Sequence, residues 1–298
     1  MKTLYGTASP YSQSYTGTGT EESIQSITRD DLQTYFKTYF HPNNATLIVV
    51  GDITADEIIP LLEKELKNWQ QKEIPEIKIP AGKELKGSHI YLIDKPGAAQ
   101  SVIIAGHYGL MRNSDDYFKV NVMNTILGGK FTSRLNMNLR EDKGYTYGAG
   151  SFFWYFRGLG PFMAYAQVHS QVTSESLSEF VKEFNGITGT KPVTNEELED
   201  TKKYITLGYP GEFETIGQLS GKLGSLVTYN LPDNYFSTFV SSINAVTAED
   251  VMSVAKKYMM PDNMIYVIMG DLKTIEPGIK ALNLGDIHYL DTDGNPVK

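Results

Sequence analysis

Five histidines, His41, His89, His107, His169 and His288, carry all the imidazole in the chain, and no two stand within four residues of each other. No helix can therefore present two of them on one face, and His-x-x-Glu-His is absent in either orientation. With no cysteine there is no thiolate metal site or disulfide framework either. His107 and His169 fall in expected strands and could meet in space, although a packed or exposed strand histidine is the simpler account of each. Gly128, Gly129 and Lys130 suggest a phosphate loop, but that loop needs Ser or Thr after its lysine and Phe131 stands there. A Gly-x-Ser-x-Gly elbow for a hydrolase serine is also missing. What remains is the run LREDKGYTYG, with Arg140, Tyr145 and Tyr147, and the aromatic cluster Phe152 to Phe156. A guanidinium and two phenols donate hydrogen bonds to carbonyl or anionic oxygen, and an aromatic cluster can hold peptide side chains or fill a core.

The elements that must position these groups are organised by a repeat. Thr28, Asp31, Lys37, Tyr39, Pro42, Asn44, Gly51 and Asp52 recur as Thr247, Asp250, Lys256, Tyr258, Pro261, Asn263, Gly270 and Asp271, each shifted by 219 positions. An ungapped shift shared by so many positions points to domain duplication. In the first copy Thr28 caps a helix whose face is Leu32, Tyr35, Phe36, Tyr39 and Phe40; Ala45 to Val50 reads as a strand and Glu57 to Trp69 as a second helix. In the second copy Thr247 caps a helix with Val251, Val254, Ala255, Tyr258 and Met259 on its face, and Met264 to Met269 is the strand. Gln70 to Lys86 has the Pro- and Lys/Glu-rich composition of a linker. Beyond it lie strands at 88–94 and 100–108 and a helix over 114–127 closed by Gly128 and Gly129, with Asp115 and Asp116 as first-turn negative charge. A short helix over 132–141, an antiparallel pair at 145–157 and 160–171, and helices near 174–187, 195–209, 214–229 and 234–244 complete the pattern. The sum is an α+β chain with helices on a mainly antiparallel sheet: residues 1–69 as the C-terminal part of a first domain, 70–86 as linker and 87–298 as a complete second domain. The period would place the start of the first copy before Met1.

The run from Thr125 to Ser151, LGG…SRL…LRE…GYTYG, following strand–strand–helix and the upstream YF.P.N…VVGD segment, resembles the pitrilysin-type M16 zinc metallopeptidases. That family includes insulin-degrading enzyme and mitochondrial processing peptidase. The resemblance implies paired homologous domains in two halves that close around a peptide, one half carrying zinc and the other an Arg and a Tyr that bind substrate. Arg140 and Tyr145 match that pair; because the Arg–Tyr spacing is shorter than in the insulin-degrading branch, Tyr147 is the alternative phenol. The phenol would donate to the oxyanion of a tetrahedral intermediate and the guanidinium would clamp a peptide carbonyl. Gly128 and Gly129 match a glycine-rich loop implicated in substrate handling, with a helix C-cap as the plainer account. The chain is thus expected to be the non-catalytic, peptide-binding portion of such a peptidase and inactive alone, with zinc only in a further domain or partner subunit. The alternative is a structural or assembly subunit of the same fold.

A net charge of −8 argues against nucleic acid as main partner, since phosphate binding draws on clustered Lys and Arg. No apolar run approaches the roughly 20 residues of a membrane span, and Met1 to Tyr15 is polar, unlike a signal peptide. Compartment stays open. An incomplete first copy would leave the helix over 29–40 and the strand over 45–50 without their covering sheet, so homo- or hetero-oligomerisation is expected.

Overall fold

Threonines start many of the helices, because their hydroxyls accept an otherwise unpaired first-turn amide; Thr28, Thr194, Thr215 and Thr247 each do so. The computed structural model describes residues 1–7, 9–12, 17–79 and 85–297. The chain opens with helices α1 (Lys2–Tyr5), α2 (Glu21–Ser26), α3 (Arg29–Tyr39) and α4 (Ala55–Leu66), then enters strands β1 (His89–Asp94) and β2 (Gln100–Tyr108). Helix α5 (Tyr117–Asn124) widens into the turn Thr125–Gly129, and α6 (Arg134–Asn136) into Met137–Asp142. The hairpin β3 (Thr146–Phe153) and β4 (Pro161–His169) leads to α7 (Thr173–Asn185), α8 (Asn195–Gly208), α9 (Ile216–Tyr229), α10 (Tyr235–Ala245) and α11 (Ala248–Tyr258). Strand β5 (Ile265–Gly270), α12 (Leu272–Ala281) and β6 (Asp286–Leu290) close the fold.

The strands form one sheet in the order β3-β4-β2-β5-β1-β6. The β2–β4, β2–β5 and β3–β4 pairs are antiparallel, while β1 runs parallel to both β5 and β6. Strand side chains alternate between faces. One face, with Ile103, Ala105, Phe162, Ala164 and Ile268, is buried in a core shared with α5, α7 and α11. The other carries Gln100, Val102, Ile104, Tyr165 and Gln167 and is open along β3, β4 and the start of β2.

Residues 1–7 and 9–12 cover the far half of that open face. Leu4 and Tyr5 are buried with Tyr108 and Ile265, and Tyr11, Leu85 and Phe156 pack onto the same cluster. The Tyr108 hydroxyl donates to the Leu4 carbonyl at 2.5 Å and the Tyr5 hydroxyl to that of Leu159 at 2.8 Å. Sequence pattern grouped these residues with the first copy; here their packing partners belong to the second.

The expected strand at Ala45 to Val50 does not form: among the described residues it joins no strand and no sheet. Asp115 and Asp116 precede α5 rather than open it. Asp116 occupies the cap position without a side-chain cap bond and instead holds Lys257 and the Tyr258 hydroxyl, each at 2.7 Å. Helix α12 and edge strand β6 were not anticipated. Residues 80–84 of the expected linker lie outside the described residues.

Candidate functional site

Strand β3 is the sheet's edge, and it begins with an extra residue. The ladder pairs Thr146 with Val168 and Ala149 with Ala166, so Tyr147 and Gly148 together oppose Gln167. Such a bulge re-aims side chains. The Thr146 hydroxyl fixes it, lying 2.6 Å from the Gln167 carbonyl and accepting the Gly148 amide at 3.1 Å. The result places Tyr147 84% exposed on the open face.

There Tyr147 joins Phe152, Tyr165, Met163, Val102 and Ile104 around a groove of about 600 Å³. Gln167 and Gln100, joined by a 2.8 Å hydrogen bond, stand at one end of it. Apolar walls with a few amide and phenol groups suit a peptide chain better than a charged small molecule.

Arg140 and Tyr145 sit on the turn that feeds β3. The Arg140 carbonyl accepts the Gly144 amide at 3.1 Å, and Gly144 takes φ +64°, a left-handed conformation that favours glycine. Tyr145 is half-buried, its amide bonded to the Leu139 carbonyl at 2.9 Å and its carbonyl to the His169 amide at 3.3 Å. The half-exposed Arg140 guanidinium lies 4.7 Å from the Phe131 ring centroid and 3.3 Å from Glu141. The structure therefore puts Tyr147 on the groove, whereas Arg140 and Tyr145, on the turn before β3, are not among the residues that line it.

Gly128 and Gly129 do not line the groove. Neither takes a left-handed conformation, so they are not the glycine cap expected at the helix end. Gly128 is instead buried against β3, where a Cβ would stand 2.3 Å from the Ser151 amide nitrogen. That contact joins residues far apart in sequence.

A sequence profile of the peptidase M16 inactive domain matches residues 26–205. The chain belongs to this M16 inactive-domain family. It is 25% identical over 276 residues to an uncharacterised zinc protease, YmxG, of Bacillus subtilis, covering 90% of this chain and 63% of that protein. A non-peptidase homologue, also called YmxG, from Helicobacter pylori is 26% identical, with 86% of this chain and 58% of that one covered. The crystal structure of an M16 inactive domain from Pseudomonas fluorescens superposes with a TM-score of 0.81 at 27% identity, covering 90% of this chain and 63% of that chain. The chain thus spans about three fifths of the length of these relatives.

In this M16 inactive domain the zinc motif is missing from the sequence, and among the described residues no three His, Asp or Glu side chains gather as a metal site. His107 and His169 do not meet: the β2–β4 register sets them opposite Phe162 and Gln100, at opposite ends of the ladder. His107 is buried, stacked on Phe162 at 4.9 Å and bonded through Nδ1 to the Tyr108 carbonyl at 2.7 Å. Burial pulls its pKa down to about 4, so the ring stays neutral. The pair that does meet, His89 and His288 at 3.3 Å, lies on neighbouring strands, and β6 had not been foreseen.

The SRL run has a packing role. Buried Arg134 makes a bidentate pair with Glu197 at 2.7 and 2.8 Å and donates to the Lys191 and Pro192 carbonyls. Sequence spacing gave no sign of Glu197 as its partner. No helix among the described residues is long and apolar enough to cross a membrane.

Proposed function

We propose that this chain is the substrate-binding portion of an M16-type peptidase, holding an extended peptide along the open face beside β3 and presenting Arg140 and a phenol to a zinc site carried by another domain or subunit. The observation that carries this reading is the groove of about 600 Å³ lined by Tyr147, the most exposed tyrosine among the described residues, seven residues after Arg140 in the chain. Edge strand β3 adds unpaired backbone, which an extended peptide can join as a further strand. Tyr147 is the better candidate for the working phenol, because its side chain stands clear on the groove while Tyr145 is half-buried. Arg140 would fix a peptide carbonyl and Tyr147 would donate to developing negative charge at the scissile bond. Water activation would come from the zinc site elsewhere.

The test is reconstitution with a zinc-bearing M16 subunit, together with binding of a fluorescent extended peptide. Tyr147→Phe should leave peptide affinity within about twofold and lower turnover about 10²- to 10³-fold, the usual effect of losing one oxyanion donor. Tyr165→Ala should weaken binding about tenfold. If neither variant changes binding or turnover while the fold persists, the chain is a structural or assembly subunit. Zinc-dependent turnover by the repurified chain alone would also defeat the proposal.

A further inference from the structure

Arg134 shows how this chain keeps a buried guanidinium: Glu197 balances its charge and two carbonyls take its remaining hydrogens. Arg112, between β2 and α5, is kept differently. Its guanidinium lies 3.6 Å from the Tyr117 ring centroid and 4.8 Å from that of Tyr235, and Nη2 donates to the Tyr235 hydroxyl at 2.7 Å. Nη1 is buried and has no hydrogen-bond partner, and among the described residues no carboxylate pairs with this arginine. Ring faces attract a guanidinium but carry no net charge. Burial holds the Tyr155, Tyr209 and Tyr235 phenols well above their ordinary pKa, so none of them ionises to supply it.

Arg112 lines a pocket of about 330 Å³ between α5, α8, α9 and α10, at the small end of the range for ligand sites. The other charged groups on its described lining are Lys222 and Glu212, which pair with each other, so the pocket is short of one negative charge. A second cavity that Arg112 borders contains Arg157 and no carboxylate. Much of the remaining wall is aromatic: Tyr209 and Phe239 stack at 4.0 Å, and Phe236 lies on the same lining. We propose that this pocket binds a monocarboxylate with an aromatic body, the carboxylate on the Arg112 guanidinium and the ring among Tyr209, Phe236 and Phe239.

The planar fork of a guanidinium matches a carboxylate in shape as well as charge. End-on, the carboxylate takes Nη1, which the chain leaves unused, and shares Nη2 with the Tyr235 hydroxyl. A single negative charge completes the balance of the pocket; a phosphate monoester, closer to two charges, overshoots it. Two sources carry this chemistry, a free aromatic acid and the C-terminal aromatic residue of a peptide. The pocket shares no lining residue with the groove beside β3, so the inference is independent of the peptide-binding reading.

Calorimetric titration of the full chain tests it. Phenylacetate should bind at one site with a Kd of about 1 mM or tighter, and phenylacetamide, of the same shape without the charge, about tenfold more weakly or worse. Arg112→Gln should abolish phenylacetate binding. Gly208→Leu gives a second route should the arginine variant fail to fold: a Cβ there meets no atom within 4 Å, so the leucine occupies the pocket without displacing the chain and should also abolish binding. Both sources are then compared through Gly-Gly-Phe with a free and an amidated C-terminus. Binding of the free tripeptide as tight as that of phenylacetate assigns the pocket to peptide ends, and its exclusion assigns it to free acids. The inference is overturned if the folded parent chain does not bind phenylacetate, if acid and amide bind alike, or if folded Gly208→Leu binds as the parent does.

Discussion

A methyl group added at Gly128 would meet the Ser151 nitrogen at 2.3 Å and its Oγ at 2.4 Å, atoms of the β3 strand that cannot easily give way. Gly128→Ala should therefore cost about 1–3 kcal/mol through overpacking. Gly129→Ala, whose closest neighbour is the Asn124 amide at 3.2 Å, should cost less than about 1 kcal/mol. Urea unfolding of the two variants separates them, and equal losses would contradict the packing role. The glycine pair was visible in sequence, but its purpose was not, since only the folded chain sets β3 against this helix end. His107 gives a second residue-scale expectation. Its folded pKa of about 4 lies below the 6.5 of the free side chain, so the unfolded chain binds the extra proton first. That contribution to stability is complete above about pH 6.5 and is lost as pH falls toward 4, at no more than about 1.4 kcal/mol per pH unit. Between about pH 7.5 and pH 5, His107→Phe should lose about 2 kcal/mol less stability than the parent chain. Parallel losses would mean that the ring is not held neutral.

At the scale of elements, hydrophobic period and caps located nearly every helix and strand between 88 and 270, because there each apolar face finds a partner close to where its pattern implies one. Ala45 to Val50 failed as a strand for the opposite reason: its pattern is sound, but a strand is defined by its neighbours. Helix α12 does bury Ile275 and Ile279, four residues apart, so its signal was present and overlooked; β6, with DIHYL, lacks clean alternation. How α6 is held to α8 was illegible. Arg134 is buried among carbonyls and depends on Glu197 for its counter-charge. Glu197→Ala should destabilise the chain by about 3–5 kcal/mol, leaving a buried guanidinium uncompensated. Loss below about 1 kcal/mol in thermal or chemical unfolding would show that water reaches the site and relieves it.

Over the whole molecule, the family and fold class were legible because the second copy of the repeat and the LGG…GYTYG run sit on elements that fold as expected. The groove was only half legible. Tyr147 was named, but Phe152, Met163 and Tyr165 come together only through the β3–β4 register and its bulge. The route of the backbone was not legible at all. Tyr11 and Leu85 pack onto the same cluster, so the chain leaves the second unit's sheet near one and returns to it near the other. The described residues 17–79 thus form an excursion between two stretches that build one body. Replacing the excursion with a Gly/Ser bridge about one ninth as long should leave cooperative melting of the remainder intact, with loop closure easier by about 2 kcal/mol. Loss of that transition would show that the body needs the excursion. Retention would make the body a scaffold into which other segments can be spliced at the same seam.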